Sequence, residues 1–197
     1  MVDAGIGRLL ISSLHQGIAD VAPSRLDFYE TWLSPTGIRD GRLAMAPLGA
    51  VLSFVHREAP PANHEIPARA GMWAANWTYQ ELSSLRQWYI RRLPIRLRSR
   101  AALRLGRRLV MSTVSNSKVR TRKRRRRAVV EIRSELFTQL RDPSTFPMRG
   151  FYAAALQRLF AHCCVNAEVT VSGQGPQGWR LAVAIKGSSP RIPVDAA

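Results

Sequence analysis

The sequence predicts an α+β domain in which a helical N-terminal half packs on a small antiparallel four-stranded sheet, with the order ββαββ in the C-terminal part. Apolar residues recur at intervals of three and four through residues 1–114, the spacing of one helix face. The period changes to two near Ser115, as in half-buried strands. The glycine-rich segment Gly173 to Gly178 then separates two further alternating runs. Residues 1–187 read as a single domain, helical over 1–114 and sheet-forming over 115–187, with 188–197 as a loose tail of prolines and small residues. A chain of 197 residues, 46% apolar and 22% charged, has the composition of a globular protein able to bury a core.

The first helix is expected from about Asp3 to Val21, with Ile6, Leu9, Leu10, Leu14 and Ile18 on one face and Pro23 beyond its end. Ser24 is placed to cap a second through Leu26, Phe28, Tyr29 and Leu33, stopped by Ser34-Pro35-Thr36-Gly37. A third begins near Pro47 and carries Leu48, Val51, Leu52 and Val55. After the break Pro60-Pro61-Ala62-Asn63, a helix is expected over about Ile66 to Gln80. Ser83 and Ser84 are caps for the next, in which Leu85, Trp88, Tyr89 and Leu93 form a stripe. Pro94 ends it and opens a helix from about Ile95 to Met111. Val119, Thr121 and Lys123, then Ala128, Val130 and Ile132, alternate as two antiparallel strands. A loop over Arg141 to Met148 leads to a helix of about Gly150 to Cys163, with Tyr152, Leu156, Leu159, Phe160 and Cys163 on one side. Glu168 to Ser172 and Trp179 to Ile185 form the second strand pair. Their turn contains Gly173-Gln174-Gly175, which is not a dinucleotide fingerprint because a strand follows it and not a helix.

The net charge of +17 is concentrated. Residues 1–80 hold six basic and seven acidic side chains, whereas 86–133 hold eighteen basic ones and a single acid, Glu131. Arg96, Arg100, Arg104 and Arg108 form an i, i+4 row on the Ile95 helix, and Arg124, Arg125, Arg126 and Arg127 close a basic run that starts at Lys118. Like charges at that spacing cost about 0.2–0.5 kcal/mol per pair in an isolated helix. Nearby acids to offset the cost are missing, so the block reads as a docking face for nucleic acid, an anionic membrane or an acidic protein. A plainer account also fits: 27 of the 30 basic residues are arginine, as a G+C-rich genome would produce on a solvated face. Zinc-finger spacing, an RNA-recognition strand and a helix-turn-helix are all missing.

Cofactor and reaction signatures are equally sparse. Cys163 and Cys164 are adjacent at a helix end and read as two small buried thiols; His15, His56, His64 and His162 lack ligand spacing. No cofactor is assigned from the residues, and no nucleophile with a placed base stands out. A run of about 18 apolar residues, the mark of a spanning helix, does not occur, nor does a signal-peptide pattern, so a cytoplasmic location is expected.

Three phrases resemble the 4-vinyl-reductase domain family, whose fold is shared with trafficking-particle subunits. Ala70-Gly71-Met72-Trp73-Ala74-Ala75 resembles its Ala-Gly helix, Leu93-Pro94-Ile95-Arg96-Leu97-Arg98 its Leu-Pro step, and Met148-Arg149-Gly150-Phe151-Tyr152 its Cys-Gly-Phe-Tyr helix. The match runs from Ala68 to Lys186. Arg149 stands where the family commonly has cysteine, and its other two cysteine positions fall near Ser172 or Gly173 and at Trp179; a metal or covalent-ligand role on those thiols is not expected. The resemblance implies a small-molecule-binding domain for a tetrapyrrole, lipid or other hydrocarbon, a possible reductase by family name, and a homodimer by analogy. Met72, Trp73, Trp77, Trp88, Tyr89, Phe151, Tyr152 and Leu156 are the candidate lining residues, although for any single one of them plain core packing is the favoured reading; Arg149 or the arginine helix would meet ligand carboxylates. Three readings follow: a non-catalytic hydrophobic-ligand module with a basic docking face, a basic interaction protein, and, least favoured, an enzyme.

Overall fold

The computed structural model describes residues 6–31, 45–114, 116–134, 146–175 and 178–189. The element order is α1 (Arg8–Val21), a 3-10 turn (Pro23–Arg25), α2 (Leu26–Glu30), α3 (Met45–Arg57), α4 (Ala62–Gln80), α5 (Ser84–Arg92), α6 (Ile95–Thr113), β1 (Lys118–Arg124), β2 (Arg127–Arg133), α7 (Phe146–His162), β3 (Val165–Gly175) and β4 (Gly178–Ser188). The expected α+β class holds, with the helices mostly N-terminal and one antiparallel sheet of order β1-β2-β4-β3.

Several boundaries move. The first helix begins at Arg8 and not Asp3; Gly7 is its N-cap and donates its N–H to the Thr113 carbonyl at 2.9 Å, while Ile6 bridges Val114. The helix expected from Ser24 to Leu33 is a 3-10 turn followed by α2, because Pro23 and Ser24 start a tighter turn; residues 32–44, including its expected stop, lie outside the described residues. Helix α4 begins four residues earlier than expected and contains Pro67, at the cost of one bond in its ladder. Ser83 sits at the α5 N-cap, but its side chain makes no capping hydrogen bond. Phe146 to Met148 are the first turn of α7, where Pro147 forfeits an N–H that has no intrahelical acceptor. Residues 141–145 of that expected loop, and the tail beyond 189, lie outside the described residues.

Three glycines set the helix spacing. A Cβ on Gly17 of α1 would come within 2.8 Å of the Ala70 nitrogen and the Ile66 carbonyl of α4. On Gly71 of α4 it would stand 2.2 Å from the Phe151 carbonyl of α7, and on Gly106 of α6 it would stand 2.3 Å from Leu156 Cδ2 of α7. Helices α1, α4, α7 and α6 therefore approach to backbone or near-backbone contact, and α7 lies against β3. The core between the layers takes Leu10, Leu14 and Ile18 from α1, Phe151, Tyr152 and Leu159 from α7, and Leu181 and Val183 from β4.

Strand β2 supplies Ala128, Val130 and Ile132 to that core, all buried, whereas the matching row of β1 is Val119, Thr121 and Lys123. Two of those three are polar, so β1 offers α6 less apolar surface than β2 gives to the core. Helix α7 lies against β3 and α6 touches both β3 and β1, yet an open space is left between α6 and the β1–β2 hairpin.

Candidate functional site

That space is a groove of about 1600 Å³. One wall is α6, which contributes Arg96, Arg100, Arg104 and Arg107; the other is the hairpin, which contributes Arg122, Lys123 and the four arginines 124–127 around its turn. Leu103, Ala128 and Ile185 form an apolar floor, with Ile95 at one end. Among the described residues, ten cations and no carboxylate line it. The turn itself needs Arg125 in the left-handed region, at φ 42°, with the side chains of all four arginines exposed.

At the Ile95 end the two walls are clipped together where Lys123 Nζ donates to the Arg96 carbonyl at 2.9 Å. Burial in the wall, then the charges of Arg100 and Arg96, hold the Lys123 ammonium below its ordinary pKa. The two arginine charges disfavour a further positive charge there, in keeping with a lining in which no described carboxylate offsets the cations. An anion entering the groove would meet guanidinium donors on both walls.

The arginine row departs from the sequence reading in one respect. At 100° per residue an i, i+4 row drifts, so that Arg108 lies about 120° round α6 from Arg96 whereas Arg107 lies about 20° from it. Arg107 accordingly completes the groove wall, and Arg108 turns the other way to pair with Glu81 at 2.7 Å. The sequence reading names Arg96, Arg100, Arg104, Arg108 and Arg124 to Arg127 as the docking face and Arg122 and Lys123 only as members of the basic run; Arg107, Arg122 and Lys123 also line the groove. The helical drift is the signal for Arg107, and the two-residue period that puts Lys123 on the core side of β1 is the signal for Lys123.

The candidate lining residues fall into three places. Phe151, Tyr152 and Leu156 are buried on α7, with the Tyr152 hydroxyl 2.9 Å from Thr113 Oγ1 and its ring beside Trp179. Met72, Trp73 and Trp77 are half-buried on α4; Trp73 Nε1 donates to Asp20 at 2.7 Å, which ties α4 to α1, and its ring lies 5.7 Å from that of Trp77. Arg149, at the start of α7, is half-buried. Trp88 and Tyr89 stand apart on α5, 51% and 59% exposed, beside Leu85 at 74%. Arg92 lies over the Trp88 ring at 4.1 Å, and a small pocket of about 210 Å³ opens between Ser84, Gln87, Trp88, Arg91 and Arg92.

A buried polar cluster joins α4, α5 and α7. The Asn76 side-chain carbonyl accepts from Arg158 Nε at 2.9 Å and pairs with His162 Nε2 at 2.7 Å. Two donors on one oxygen fix the tautomer: His162 carries its proton on Nε2. The ring stacks on Tyr79 at 4.6 Å, and Arg91 Nε reaches the Tyr79 hydroxyl at 3.2 Å. Burial first, then Arg158 and Arg91, lowers the His162 pKa to about 4, so it is neutral at pH 7. Cys163 and Cys164 are free and buried; burial pushes the Cys163 thiol up to about 12, which keeps it protonated and a poor nucleophile. Arg98 pins the adjacent turn by donating to the Cys164 carbonyl at 3.0 Å and to Ser188 Oγ at 2.9 Å.

Among the described residues, no group of three or more His, Cys, Asp or Glu side chains could hold a metal ion, and no helix is long and apolar enough to cross a membrane.

No family model matches the chain, and no curated protein does. Among solved structures the chain is similar to a trafficking protein particle complex subunit 3 from Naegleria fowleri, determined covalently bound to palmitic acid. The two are 13% identical over 83% of this chain and 96% of that one, with a TM-score of 0.42.

Proposed function

We propose that the chain is a non-catalytic binding module whose site is the groove between α6 and the β1–β2 hairpin, and whose partner is an anion carrying several charges. The observation that supports this reading is the lining of ten cations with no carboxylate among the described residues. Cations held that close repel one another in the free protein, and a multiply charged anion removes the repulsion as it binds. Inorganic polyphosphate is the simplest probe. Tight binding that weakens steeply as salt rises is expected, with a loss of about tenfold for each of Arg100→Gln and Arg104→Gln, the weight of one charged hydrogen bond. Binding unchanged in the double variant would overturn the assignment of the site.

A second reading is favoured by the floor of the groove. Leu103, Ala128 and Ile185 offer apolar surface under the guanidinium groups, which suits an acidic amphiphile such as a fatty acid, a phospholipid or a carboxylate-bearing tetrapyrrole. Native mass spectrometry and an absorption spectrum of freshly purified protein test it. A co-purifying acidic lipid or pigment, retained at high salt, supports this reading over the first; a ligand-free mass together with polyanion binding rejects it.

A further inference from the structure

We propose that the occupant of the groove is a single strand of nucleic acid, its phosphates along the arginine walls and its bases stacked on Trp88 and Tyr89 of α5. The inference rests on the groove being the binding site, and adds to it a second surface and a partner class.

The shape of the groove selects among polyanions. Its cations line a concavity, where a flat bilayer cannot reach the floor between two walls. A single strand can lie in such a channel, because its backbone is narrow and pliable. A duplex keeps its bases inside its own stack and would leave the exposed rings of α5 without a role.

Those rings supply the second observation. Helix α5 turns Gln87, Ile90 and Arg91 inward and leaves Leu85, Trp88, Tyr89 and Arg92 on its outer face. It leads through Leu93 and Pro94 directly into Ile95 and Arg96, which line the end of the groove. Arg92 is three residues from Ile95, hence within about 11 Å of it even if the chain is fully extended. Arg92 also lies over the Trp88 ring, so a cation and an aromatic plane stand together on the helix that leads into the Ile95 end of the groove. A cationic track next to exposed aromatic rings is the pairing by which single strands are held without reading their sequence.

The test uses the full chain and four ligands: oligothymidylate, a duplex of the same length, inorganic polyphosphate, and vesicles containing phosphatidylserine. Trp88→Ala is expected to lower oligothymidylate affinity by about five- to a hundredfold, the range one stacked base supplies, and to leave polyphosphate affinity unchanged. Arg100→Gln with Arg104→Gln should lower both, and reduce the slope of log affinity against log salt by about 0.7 for each phosphate that is no longer neutralised. Should Trp88→Ala lower neither or both equally, the stacking proposal falls while the groove assignment stands. Should the arginine variant change nothing, both fall. A preference for vesicles over oligothymidylate, or for duplex over single strand, also overturns the proposal. Trp88 is half-exposed, so its removal leaves the core intact, and an unchanged unfolding midpoint confirms that in the same samples.

Discussion

Burial and the neighbouring charges of Arg158 and Arg91 take His162 from an ordinary pKa of 6.5 to about 4, and that displacement links stability to pH. Above 6.5 the ring is neutral in both the folded and the unfolded chain. Between 6.5 and about 4 the unfolded chain takes up a proton that the folded one refuses, so stability falls as pH drops through this window. Below both values the loss is complete, at about 3 kcal/mol by the usual conversion of pKa into free energy. Urea midpoints measured from pH 7 to pH 4 should therefore fall less steeply in His162→Gln, which retains a donor for Asn76, than in the parent chain. Parallel curves for the two proteins would show that His162 is not the titrating group. The sequence placed His162 near a helix end but carried no sign of this behaviour, because its partners Asn76, Tyr79 and Arg91 come from two other helices.

Helix packing depends on what a methyl group would strike. At Gly71 it meets the Phe151 backbone carbonyl, which cannot swing away, whereas at Gly106 it meets the Leu156 side-chain tip, which can rotate. Gly71→Ala should lower stability by about 1–3 kcal/mol through overpacking, even after the helix-propensity gain of alanine over glycine. Gly106→Ala should cost clearly less, and thermal melts of the two variants decide the order. The elements themselves were largely legible: the change of period near Ser115 marked the hairpin, and Pro94 marked the start of α6. The joining of the two hairpins through β2 and β4 was not legible, since a helix intervenes and no local turn specifies the pairing. The stripe Leu85, Trp88, Tyr89 and Leu93 supplied two of the candidate ligand-lining residues, Trp88 and Tyr89. Helix α5 instead packs through Ile90 and polar contacts, with Gln87 donating to the Tyr79 and Leu82 carbonyls and Arg91 reaching the Tyr79 hydroxyl, so its aromatic side stays in solvent. The groove was legible as charge but not as shape, because its wall of Thr121 and Lys123 acquires meaning only when α6 stands opposite.

For the molecule as a whole, +17 distributed so unevenly makes self-repulsion a cost of the folded state that counter-ions relieve. The Tm should rise with added polyphosphate by ligand linkage, equivalent to about 2.7 kcal/mol at a hundred times the Kd, and the gain should shrink as sodium chloride screens the interaction. A Tm indifferent to polyphosphate at low salt would contradict a polyanion site anywhere on the chain. Strand β1 ends the sheet, and five of its seven residues are Lys or Arg. A copy arriving edge to edge would set those cations against their own images, so this border is guarded against strand addition in the way natural sheets avoid aggregating. Any self-association must use another surface, and mutations that neutralise β1 to improve handling would remove the guard.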